Sequence, residues 1–123
     1  MLSQVESDLL AEPNVDEELE VARLELIWQR IQQALGTERE RILNEIGEYP
    51  HPIPACDAQF NGLLEERASI LGEYWQVKGF LKQSHSSSEH VEQINKFLRS
   101  SRCLSSEVSL EVQELLMMAG TAR

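Results

Sequence analysis

Three prolines crowd into the segment Tyr49-Pro50-His51-Pro52-Ile53-Pro54, between two long stretches of helical apolar periodicity. Each proline fixes its own φ and bars the preceding residue from the α region. Tyr49, His51 and Ile53 are therefore all pushed out of helix. A helix arriving here must end, and the next must start afresh. Two amphipathic helices interrupted in this way fold back on each other as an αα-hairpin.

The first long stretch opens at Asn14, with Glu17 three residues on, the spacing of a capping box. Asp16, Glu17, Glu18 and Glu20 then crowd the first turns, where a helix N-terminus favours negative charge. Leu19, Ala22, Leu24, Ile27, Trp28, Ile31, Ala34 and Leu35 form an apolar stripe of helical period, continued by Ile42 and Ile46. Gly36-Thr37 interrupts it, and Thr37 with Glu40 has the form of a new cap. The stripe does not slip across this point, which favours one helix over about 15–48, straight or kinked at Gly36. After the prolines, Asp57 caps a second helix over about 57–83, striped by Phe60, Leu63, Leu64, Ile70, Leu71, Tyr74, Val77 and Leu81. A serine cluster at 84–88 breaks the pattern. Ser86 and Glu89 cap a third helix over about 88–100. Ser105 or Ser106 caps a fourth over about 106–119, with Gly120 as its stop. No strand-period run is present. The expected fold is all-α: a long antiparallel αα-hairpin plus two shorter helices, bundle-like. Residues 1–14 are expected to be a flexible N-terminal arm, and 15–123 a single helical domain.

Charge narrows the function classes. The formal net charge is −10. Residues 1–50 carry 12 acids against 4 bases (−8), and 51–123 carry 9 against 7 (−2). Such a chain repels phosphate backbones, which argues against direct nucleic-acid binding. Lys78, Lys82, Lys96, Arg99 and Arg102 face only Glu89 and Glu92 across 78–102, a local +3. They are candidate charged contacts for Asp16, Glu17, Glu18 and Glu20, within one molecule or across a dimer. The N-terminus has neither the basic nor the apolar region of a signal peptide, and no apolar run is long enough to span a bilayer. A cytoplasmic location with reduced thiols is expected, and no membrane contact.

No catalytic motif emerges. Cys56 precedes the Asp57 cap and lies near His51, but no third group sits at a spacing that would orient a Cys–His pair. The Glu-x-x-His spacing of carboxylate-metal bundles occurs at Glu48 and His51, where Pro50 prevents a shared helical face. The adjacent carboxylates Glu17-Glu18 and Glu65-Glu66 point about 100° apart on a helix and do not converge. The expectation is no cofactor, no metal and no enzyme.

Length supplies a positive hint. A helix of 34 residues is about 51 Å long, whereas a compact domain of this size is roughly 35 Å across. Its stripe needs cover from the second helix or from another chain. Trp75, Phe80 and Leu115-Leu116-Met117-Met118 remain as candidate contact surface, together with Tyr49, His51 and Ile53 at the proline turn. The leading expectation is a helical protein-interaction module, a small regulator or subunit of a cytoplasmic assembly, with itself as one candidate partner in a homodimer. Small size, low pI and an amphipathic last helix are similar in general character to secretion or flagellar-type chaperones. An acidic mimic of nucleic acid, acting on a DNA-binding protein, is the third alternative.

Overall fold

A computed structural model describes residues 14–120. The expected N-terminal arm, up to residue 13, and residues 121–123 lie outside them. The described chain is all-α. Helix α1 spans Asn14–Gly47, α2 Ala58–Leu81, α3 Ser87–Ser100 and α4 Ser106–Gly120. Each lies within two residues of its expected bounds. No strand occurs among the described residues.

The caps explain most of the boundaries. Asp57 accepts a hydrogen bond from the Phe60 N–H at 2.9 Å and starts α2. Ser86 and Glu89 form the reciprocal capping box that starts α3. The Ser105 hydroxyl accepts from the Val108 N–H at 3.2 Å at the head of α4. Thr37 does not restart α1. Its hydroxyl donates to the Gln33 carbonyl one turn back, at 3.1 Å, and the helix runs through Gly36 unbroken. Glu17 departs from its expected role too, because its carboxylate reaches across to α3.

Helix α1 is the axis, and each of the other three packs on it. Contacts along the chain fix their directions. Helix α2 returns antiparallel, with Arg41 against Glu66 near the turn and Trp28 against Phe80 at the far end. Helix α3 runs parallel to α1, from Glu17–Ser87 to Trp28–Phe97. Helix α4 is antiparallel again, placing Arg30 against Glu111. The order is up-down-up-down, the simplest bundle topology for short connections.

The core is Leu24, Ile27, Trp28, Ile31 and Leu35 of α1 with Val77, Ile94, Phe97 and Val112, one or two from each other helix. Leu19 and Ala22, expected in this stripe, are exposed instead. Phe60, Leu63, Leu64, Leu71 and Tyr74 of α2 are only half-buried. The reason is geometric. Helices α3 and α4 have 14 and 15 residues, about 21–23 Å at 1.5 Å per residue. They cover the half of the hairpin away from the proline turn. Beyond Leu35 towards the turn, the buried hydrophobics among the described residues are Ile42 of α1 and, facing it from α2, Ile70.

Candidate functional site

The proline turn is tied down by one aromatic side chain. The Tyr49 hydroxyl lies 2.8 Å from both oxygens of Asp57 and donates to that carboxylate, and its ring meets Phe60 edge-on at 5.0 Å. Asp57 is held below the usual carboxylate range, chiefly by the Phe60 N–H and then by this phenol. The His51–Pro52 peptide is cis. His51 and Cys56 are exposed and Ile53 is half-buried. The turn offers a surface of polar and apolar tips at the end of the hairpin.

The remaining predicted contact residues are scattered. Trp75 is 62% exposed, with Tyr74 edge-on beside it at 6.1 Å. Phe80 lies inside the bundle: its ring centroid is 5.4 Å from that of Trp28 and it stacks on His85 at 3.8 Å. Leu115 and Leu116 pack against the core, whereas Met117 and Met118 are exposed. The proline turn and the end of α4 are at opposite ends of α1, so the structure does not gather these residues into one site.

The charged candidates divide similarly. Asp16 and Glu18 are exposed; Glu17 and Glu20 are half-buried. The Glu17 carboxylate accepts from the Ser87 N–H at 2.6 Å and from the Ser87 hydroxyl at 2.8 Å. The acidic start of α1 therefore meets the 78–102 region through a serine at the head of α3. Lys78 sits 5.2 Å over the Tyr74 ring, and Lys82, Lys96, Arg99 and Arg102 are exposed. Arginine ion pairs tie α1 to its neighbours. Arg30 and Glu111 join α1 to α4 at 2.7 Å, and Arg41 meets Glu38, Glu45 and Glu66.

Two further surface features arise only from how the helices pack. The first is an outward seam on α1. Val15, Leu19 and Leu26 are large and exposed, and Ala22 between them is exposed as well. Their 4-3-4 spacing places all four on one helix face, about 18 Å long. Beside it, Arg23, Leu26, Ile27, Leu115, Met118 and Ala119 line an apolar groove of about 350 Å³ between α1 and α4. The second is a polar cleft of about 540 Å³ where α1 and α2 meet the α3–α4 turn. Glu38, Glu65, Glu66, Arg41 and Arg102 line it, with Cys103. Burial, and then the Glu73 carboxylate, push the Cys103 thiol up to about 12. It is protonated at neutral pH, which leaves it a poor nucleophile.

Among the described residues, no cluster of three or more His, Cys, Asp or Glu could hold a metal ion. No described helix is long and apolar enough to cross a membrane. No protein-family model, curated protein or solved structure matches this chain.

Proposed function

We propose that this chain is a non-enzymatic helical protein-interaction module, a small regulator or subunit of a larger assembly, with a second copy of itself as the first partner to test. One observation carries the reading. Helix α1 has two apolar faces, and among the described residues only one of them is covered by the other helices. The outward face, Val15-Leu19-Ala22-Leu26, has the alternating four- and three-residue spacing by which helices pack side by side. Apolar side chains at that spacing in water favour burial against another helix, and the α1–α4 groove widens the same surface. Glu18 and Glu25 flank one side of the seam and Arg23 the other, so a partner helix with one basic and one acidic edge, as a second copy offers, is preferred.

Light scattering at low and high concentration, combined with affinity capture from native lysate, tests this. The expected result is a dimer mass or a reproducible bound protein, lost in the Leu19→Glu/Leu26→Glu variant. Both positions face solvent, so the fold should tolerate the change. A monomer mass at high concentration with no captured protein would refute the proposal. So would seam variants that behave like the wild type.

A further inference from the structure

At the junction of α1 and α3, a histidine is buried without an opposite charge in hydrogen-bond contact. His90 is 2% exposed and Trp28 is 1% exposed. The Trp28 indole N–H donates to His90 Nδ1 at 3.1 Å. Indole nitrogen is only ever a donor, so Nδ1 must be an acceptor and the ring proton must reside on Nε2. Phe80 from α2 closes the ring edge-on at 5.2 Å, with His85 edge-on at 5.8 Å. One turn earlier, the Glu17 carboxylate accepts from the Ser87 N–H and hydroxyl. The α1/α3 seam is thus closed by two acceptors, each of which works in its deprotonated form.

We infer that this seam is an acid-operated latch: proton uptake by His90 breaks its bond to Trp28 and releases α3 from α1. The proton comes from solvent and forms an N–H bond at Nδ1. The imidazolium then presents a donor to a donor, with its charge in the core. Release uncovers Val91, Ile94, Phe97 and Leu98 together with Trp28, a second apolar surface independent of the outward seam of α1.

The charges acting on the ring come from Glu17 and Glu25 of α1, His85 of the α2–α3 connection and Glu89 of α3. The three carboxylates favour protonation, while His85 opposes it. Burial outweighs them and holds His90 below the ordinary histidine value. The closed state therefore binds fewer protons than the open one, so closure is fully stable above about 6.5 and is lost as pH falls through the closed-state value. A ring titrating at about 6.5 when released and lower when latched raises the opening constant by at most about tenfold from pH 7.5 to 5.5.

Amide hydrogen exchange on the full chain at these two pH values, corrected for intrinsic rates, reads the latch directly. Protection of the 91–98 amides is expected to fall up to about tenfold on acidification, and to stay flat in His90→Asn, which keeps an acceptor near Nδ1 but cannot titrate. Unchanged protection in the wild type would overturn the latch, as would the same fall in His90→Asn. If circular dichroism shows that variant unfolded, NMR titration of the wild type decides. Co-titration of the His90 ring and the Trp28 indole N–H below 6.5 supports the latch. A His90 midpoint at or above 6.5, with the Trp28 signal unmoved, refutes it.

Discussion

Asn14 and Glu17 have the spacing of a capping box, yet the Glu17 carboxylate serves the N-terminus of a different helix, 70 residues along the chain. Both placements obey the same physics, since a carboxylate is favourable at any helix N-terminus. Nothing local distinguishes its own helix from a neighbour. Similarly, Glu73 accepts from the Ser101 hydroxyl and the Arg102 N–H, and no pattern near position 73 announces it. The Glu17 link should be measurable. Hydrogen bonds to charged groups are worth about 1.5–3 kcal/mol. Glu17→Ala should therefore lower stability in urea by about 2 kcal/mol, and Ser87→Ala by about 1 kcal/mol. The double variant should fall short of the sum, because each single change already removes the hydroxyl bond. Full additivity would show that the two groups do not interact. Trp28→Phe should cost about 2–3 kcal/mol, because it deletes volume and leaves His90 Nδ1 unsatisfied.

At the scale of elements, helix positions and the Asp57 and Ser86 caps were legible in sequence, because apolar period and capping chemistry are short-range. The Thr37–Glu40 pattern was the ambiguous case: continuity of the stripe through Leu35 and Ile42 favoured one helix without deciding it, and α1 runs unbroken from Asn14 to Gly47. A glycine therefore sits inside α1 without serving as a hinge. A Cβ at Gly36 would meet nothing within 4 Å. Gly36→Ala should stabilise the protein by about 0.5–1 kcal/mol, through helix propensity and a less entropic unfolded chain. A melting temperature raised by a few degrees is the expected readout, and a lowered one would indicate that α1 bends at this residue. The outward seam was less legible. Leu19 and Ala22 merge with the inner stripe when periodicity is read alone, since that reading assumes one apolar face per helix. Only the positions of α3 and α4 show which side of α1 remains open.

For the whole molecule, the sequence marked a hairpin too long for its own globule but did not say which end the short helices would cover. That depends on pairs far apart in the chain, such as Arg30–Glu111 and Trp28–His90. Acid should weaken the assembly in two stages. Between neutrality and the closed-state value of His90, the α1/α3 seam loses stability. At lower pH a second loss sets in, because Asp57, Glu89 and Glu111 are held below the usual carboxylate range by the Phe60 N–H, the Ser86 N–H and Arg30. Their contribution is complete above the unfolded values near 4 and disappears as pH falls through the folded ones. Urea midpoints from pH 8 to 3 should show both declines, the upper one absent in His90→Asn. Stability should also be uneven along the hairpin. The bundled part buries residues from all four helices, whereas the end nearer the prolines, beyond Leu35, depends on two helices, Ile42 and Ile70. Opening free energy follows local apolar burial. At pH 7.5, amides around 40–47 and 58–66 should exchange faster than those of 24–35 and 77–81, although every one of them lies in a helix. Equal protection along α1 would mean that the turn-proximal half is buried by something else, such as a second chain laid along the hairpin, and light scattering on the same sample would identify that dimer.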